Sequence, residues 1–121
     1  MKLLEFTSNG IYCSKADVYL DPWRGVKKAL ITHGHSDHAR WGSKSYITQI
    51  DNVPILKHRL GKINVSGKKY GDKFKINGVT FSFHPAGHVP GSSQIRVEYK
   101  GEVWVFMNMN HKFYKTLHYL R

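Results

Sequence analysis

A chain of 121 residues supports one domain with one modest core, because a fold this small buries only about two-thirds of the surface its unfolded chain exposes. Hydrophobic residues at 40%, with 13% aromatics, exclude disorder along the whole length. The formal charge of +11, from 19 Lys and Arg against 8 Asp and Glu, either is a solvated basic face or attracts polyanions such as nucleic acid or an anionic membrane surface. Residues 107–121 hold Lys112, Lys115 and Arg121 and no acid, so the basic bias does not depend on them. A single cysteine, Cys13, excludes an intramolecular disulfide and a thiolate zinc cage; it fits a reducing compartment and reads by itself as a small apolar core residue. The opening MKLLEF meets Glu5 too soon for a secretory signal or a membrane span, so a cytoplasmic protein is expected, with no membrane partner.

Residues 3–13 read as two strands around a Ser8-Asn9-Gly10 turn, and 16–20 as a third, stopped by Asp21-Pro22. A short buried run follows at 28–32, a further strand at 46–49, then a helix over 53–60 ended by Gly61. The runs 62–66, 72–76, 79–84, 94–99 and 102–106 are alternating or β-branched, with Asn77-Gly78 and Lys100-Gly101 where tight hairpins sit. This predicts successive antiparallel strands with little helix between them. Neither a repeat nor a low-complexity linker marks a second domain. The segment 107–121 is expected to be neither strand nor amphipathic helix.

Chemistry concentrates in His33-Gly34-His35-Ser36-Asp37-His38, directly after the apolar run Ala29-Leu30-Ile31. In an extended segment, side chains at i and i+2 share a face, so His33 and His35 can converge on one ion as the strand ends. Asp37 and His38 fall at the entry to the next element and can point at a second ion. Three imidazoles and a carboxylate within six residues are hard to explain as packing, since crowded histidines must stay neutral or repel one another. His88, in a Gly- and Pro-rich loop after a strand, is the natural third nitrogen for the ion held by His33 and His35. His84 precedes Pro85 within the strand and is the weaker candidate, and His58 reads as a solvated helix-face residue.

With these residues in place, the chain resembles the metallo-β-lactamase superfamily: His33-x-His35-x-Asp37-His38 is followed in order by Ala86-Gly87-His88. Asp21-Pro22-Trp23-Arg24, Ser36-Asp37-His38-Ala39-Arg40-Trp41-Gly42 and His84-Pro85-Ala86-Gly87-His88 with Gly91-Ser92 narrow the resemblance to the bacterial ligase-associated DNA exonucleases, which are similar to mRNA 3′-end processing nucleases. The match covers roughly residues 8–106. The metal motif is specific for the superfamily and less so for substrate. The resemblance implies an α+β fold, the amino-terminal part of an αββα sandwich dominated by antiparallel and mixed strands, spanning residues 1–106. It also implies hydrolysis of a phosphodiester near a DNA end, with DNA as partner, single-stranded or at ends, and a DNA ligase as associate. His33, His35 and His88 would hold one divalent ion and Asp37 and His38 the other, with Asp37 and His38 acting in catalysis. Ligands of nitrogen and oxygen without thiolate suit Zn2+ first, then Mn2+ or Fe2+.

Members of that family carry a Gly-Asp pair after the strand corresponding to 103–106, whose aspartate bridges the metals; here the sequence runs Met107-Asn108-Met109-Asn110. That departure, with the missing later half of the fold, reads as a truncated or frameshifted frame with a divergent tail over 107–121, and implies an inactive or impaired enzyme. Arg24, Arg40 and Trp41 beside the motif are candidates for phosphate contact or base stacking, against surface charge and core packing. Gly91-Ser92-Ser93 could offer backbone N–H groups to a phosphate, or simply turn into the next strand. Two other functions compete: a metallo-hydrolase of a thioester or lactone, and a non-catalytic fragment that binds metal or nucleic acid.

Overall fold

The computed structural model describes residues 3–33, 39–86 and 92–107, and the backbone of 112–115. Eleven strands among them form two sheets. The first runs in the order β1 (Leu4–Thr7), β2 (Gly10–Cys13), β3 (Val18–Leu20), β4 (Lys28–Ile31), β5 (Ser45–Gln49), β6 (Val65–Lys68). Strands β1 to β3 pair antiparallel, and β3 to β6 pair parallel. The second sheet is antiparallel throughout, in the order β11 (Lys112–Lys115), β10 (Glu102–Met107), β9 (Ser93–Tyr99), β8 (Val79–Pro85), β7 (Phe74–Ile76).

The period-2 alternation of the strands decides which face is buried. Leu4, Ile11, Cys13, Val18, Leu20 and Leu30 of the first sheet meet Val79, Phe81, Phe83, Ile95, Val97 and Phe106 of the second, forming the main core. Phe74 stacks on Phe81 and Phe83 with ring centroids 5.7 and 5.8 Å away. Burying each such ring contributes roughly 1.5–3 kcal/mol. Strand β4 is buried on both sides, as a central parallel strand should be. Its Leu30 enters the main core, while Ala29 and Ile31 pack with Tyr46 and with Leu56 of α1 (Val53–Leu60) in a second cluster.

Helix α1 has Pro54 in its first turn and stops where Gly61, at φ 82°, turns its N–H back to Lys57 O. The expected helix is thus present with its expected bounds. Both expected hairpin turns are left-handed at their two central residues, with φ 49° at Asn77 and 83° at Gly78, and 47° at Lys100 and 83° at Gly101. Two expectations are corrected. The run expected at 62–66 forms β6 over Val65–Lys68 and belongs to the parallel sheet, because α1 carries the chain across from β5. Residues Lys112–Lys115, expected to lack regular structure, pair with β10 in the register Trp104↔Lys115 to Met107↔Lys112. The strand at 102–106 is therefore interior to its sheet rather than an exposed edge.

Among the described residues one helix covers the outer face of the first sheet and none covers the outer face of the second, so the layers present are α, β and β.

Candidate metal centre

Strands β3, β4 and β5 all end at the same side of the sandwich, and β8 ends and β9 begins there too. The expected metal motif follows β4 in sequence and the His88 loop joins β8 to β9, so topology brings the described flanks of both segments, His33 on one side and Ala86 and Ser92 on the other, to this one end. One hydrogen bond ties them: Ser93 N donates to Thr32 O across the sheets at 2.9 Å. The His88 loop is pinched at its neck, where Ala86 N donates to Ser92 O at 3.0 Å and Tyr70 Oη donates to the same oxygen at 2.9 Å.

His33 stands at the exit of β4, and its Nε2 is shielded from solvent. His35, Asp37, His38 and His88 lie outside the described residues, as do Asn108 and Asn110. Among the described residues no three His, Cys, Asp or Glu side chains gather as a metal site. His84 is on the outer face of the second sheet, paired with Gln94, its Nε2 2.8 Å from Ser82 Oγ. Partial burial, then the positive fields of Arg96 and Lys73, lower its pKa and favour a neutral ring. His58 is exposed on α1, as expected.

Sequence reasoning missed what holds the end of β4. The Asp21 carboxylate, fully buried, accepts from Thr32 N at 2.8 Å and from Thr32 Oγ1 at 2.5 Å, while Asp21 N donates to Leu30 O. Burial pushes its pKa up to about 7, against the lowering effect of both Thr32 bonds. Asp21-Pro22 is legible in the sequence only as a strand stop; an aspartate directly after a buried strand is the signal that could have marked it as a tether, and the structure holds it at a left-handed φ of 46°. Behind it, Thr48 Oγ1 donates to Ile31 O and accepts from the buried Asn52 amide, fixing β4 against β5.

The loops that carry the basic candidates meet each other. The loops carrying Arg24 and Arg40-Trp41 cross at Gly25 and Gly42, where a Cβ on Gly25 would lie 2.6 Å from Gly42 O, so only glycine allows the approach. Arg40 Nη1 donates to Trp23 O at 3.3 Å, and Arg40 O accepts from Tyr46 Oη at 2.6 Å. Trp41 is 72% exposed, which removes core packing as its role. A phosphate cradle at Gly91-Ser92-Ser93 is corrected in part: Ser93 N is committed to Thr32 O, and both serines are buried.

No protein-family model and no curated protein matches this sequence. Among solved structures the chain is similar to a HARLDQ-motif mutant of the metallo-beta-lactamase from Cronobacter sakazakii (Enterobacter sakazakii), with a TM-score of 0.57 and 18% identity, over 85% of this chain and 55% of that one. The chain thus spans little more than half the length of the solved protein it matches. The likeness is one of fold. The molecule is an α+β protein, mostly strand, with the metallo-β-lactamase type of sandwich represented in part.

Proposed function

We propose that this chain is the amino-terminal part of a metal-dependent phosphodiester hydrolase of the DNA-exonuclease kind, impaired as it stands. The carrying observation is the Ser93 N to Thr32 O bond, which holds the exit of β4, and with it His33, against the neck of the loop that contains His88. His33, His35 and His88 would hold one divalent ion, and Asp37 and His38 a second. The buried Nε2 of His33 and a donor set of imidazole and carboxylate without thiolate suit Zn2+, with Mn2+ or Fe2+ as alternatives. Such ions, when bound, supply a nucleophile near neutral pH and neutralise charge on the phosphate. Asp21 and Tyr70 position the two ligand segments. Arg24, Arg40 and Trp41 bind single-stranded or terminal DNA beside the site, through phosphate contacts and base stacking. Impairment follows from the sequence, which runs Met107-Asn108-Met109-Asn110 where the family it resembles has a Gly-Asp pair, and so lacks the carboxylate that would offset repulsion between two cations. A reducing, cytoplasmic setting and association with a DNA ligase complete the proposal.

Metal content and nucleotide release from single-stranded DNA test it. The purified chain is expected to carry metal that His33→Ala/His35→Ala removes, with little turnover until Asn108→Asp and a downstream half are supplied. Unchanged metal content in the double variant would sink the ligand assignment. Metal-dependent turnover as fast as that of the restored protein, lost in Asp37→Ala, would sink the impairment. Preferential hydrolysis of a thioester or lactone would move the chain to the small-molecule branch.

A further inference from the structure

The end of the sandwich remote from Thr32 and Ser93 is a lysine surface with its own relief. There the β2–β3, β7–β8 and β9–β10 turns meet: Asn77 Nδ2 donates to Ala16 O at 3.2 Å across the sheets. Lys15 Nζ and Lys100 Nζ stand 6.0 and 5.4 Å from the centroid of the Tyr99 ring, which holds both ammonium groups in place. The parallel strands start at this end, so Lys27, Lys28 and Lys44 flank it. The carboxylates nearby are engaged. Asp17 accepts from Tyr12 Oη at 2.9 Å and lies 4.0 Å from Lys27, Glu98 accepts from Arg96 at 2.7 Å, and Glu102 accepts from Trp104 Nε1 at 3.1 Å. Two depressions adjoin at Lys100: one of about 480 Å³ with Lys73, Lys75 and Thr80 in its wall, and one of about 210 Å³ with Leu3, Lys15 and Tyr99.

We propose that this remote end binds the phosphodiester backbone of single-stranded nucleic acid, as a second contact separate from the candidate metal centre. Lys75 and Lys100 take phosphates in the larger depression, and Lys15 and Lys100 do so in the smaller one, beside the Tyr99 ring. Ammonium groups already ordered on an aromatic face lose less rotamer freedom on meeting a phosphate. A membrane surface fits less well, since peripheral anchoring combines charge with apolar insertion. The exposed large hydrophobics Phe6, Trp41 and Ile50 line neither depression. The choice of nucleic acid among polyanions rests on the hydrolase proposal; the surface itself does not.

The test is anisotropy of a labelled oligothymidylate with the whole chain across a salt series. Lys75→Gln/Lys100→Gln is expected to weaken binding on the order of tenfold at low salt, and to reduce the slope of log K against log salt by about 0.7 for each lysine lost. Lys57→Gln/Arg59→Gln removes the same formal charge from exposed positions of α1 and should leave affinity within about twofold. Unfolding midpoints of both variants establish that each remains folded. Equal losses in the two variants would overturn the proposal in favour of unspecific charge. Retention on phosphatidylserine vesicles, lost in Lys75→Gln/Lys100→Gln, with no oligonucleotide binding, would overturn it in favour of a membrane. His33→Ala separates it from the hydrolase proposal: metal is lost, while oligonucleotide binding at this remote end should persist.

Discussion

Asp21 shows how one buried carboxyl can make the site end of the fold sensitive to pH. Its pKa of about 7 in the folded protein exceeds the ordinary 3.8, because desolvation outweighs the two Thr32 bonds. The folded state therefore binds the proton more tightly than the unfolded chain. The stabilisation is complete below the ordinary value and is lost as pH rises through about 7. Its size is on the order of a few kcal/mol. Asp21→Asn keeps an acceptor for Thr32 N and is expected to flatten the change in denaturant midpoint between these limits. An undiminished pH dependence in that variant would show that another group titrates there. Cys13 makes a simpler case. Buried in the main core with its pKa raised by desolvation, its thiol should resist an aromatic disulfide reagent in the native protein and react fully in denaturant. Fast native labelling would contradict that packing.

At the scale of elements, what matters is how loops are made to meet. Gly25→Ala would press a methyl into the backbone of Gly42, and neither loop can yield without moving Arg24 or Arg40. A loss of roughly 1–3 kcal/mol in unfolding free energy is expected, with weaker single-strand binding. A stability within about 0.5 kcal/mol of wild type would mean the crossing relaxes freely. Tyr70→Phe keeps the ring against the core and removes only the hydrogen bond to Ser92 O, at a cost of about 1 kcal/mol. If Tyr70 positions the His88 loop, that variant should bind Co2+ more weakly and alter its absorption bands, beyond what the small stability change explains. An unchanged Co2+ affinity and spectrum would reduce Tyr70 to a structural role.

For the whole molecule, the decisive feature is β11. Its pairing turns β10 into an interior strand and moves the sheet edge to Lys112–Lys115. A chain ended after Met107 leaves the β10 edge, with Val103, Val105 and Met107 on one face, unpaired. It is expected to aggregate at concentrations where the full chain stays monodisperse in light scattering. Equal monodispersity would show that β11 protects nothing.

Local signals were sufficient for much of this. Asn77-Gly78 and Lys100-Gly101 specify their turns through the φ > 0 that glycine and asparagine tolerate, and Pro54 with Gly61 bound a helix whatever surrounds it. The alternation in 79–84 and 94–99 assigns inner and outer faces without reference to a partner. The concentration of His33, His35, Asp37 and His38 was equally plain, because it lies within six residues. Only the tertiary structure decided what depends on distant pairings. The 62–66 run carries no mark of a parallel neighbour, and 112–115 has no alternating pattern of its own, so its strand exists because β10 offers an open ladder. Asp21 and Thr32, Tyr70 and Ser92, and Thr32 and Ser93 are separated by 11, 22 and 61 residues; the first bond appears only when β3 and β4 pair, and the last only when the two sheets stack. Propensity and spacing act over a few residues, whereas closing the site end of the sandwich is a property of the packed sheets.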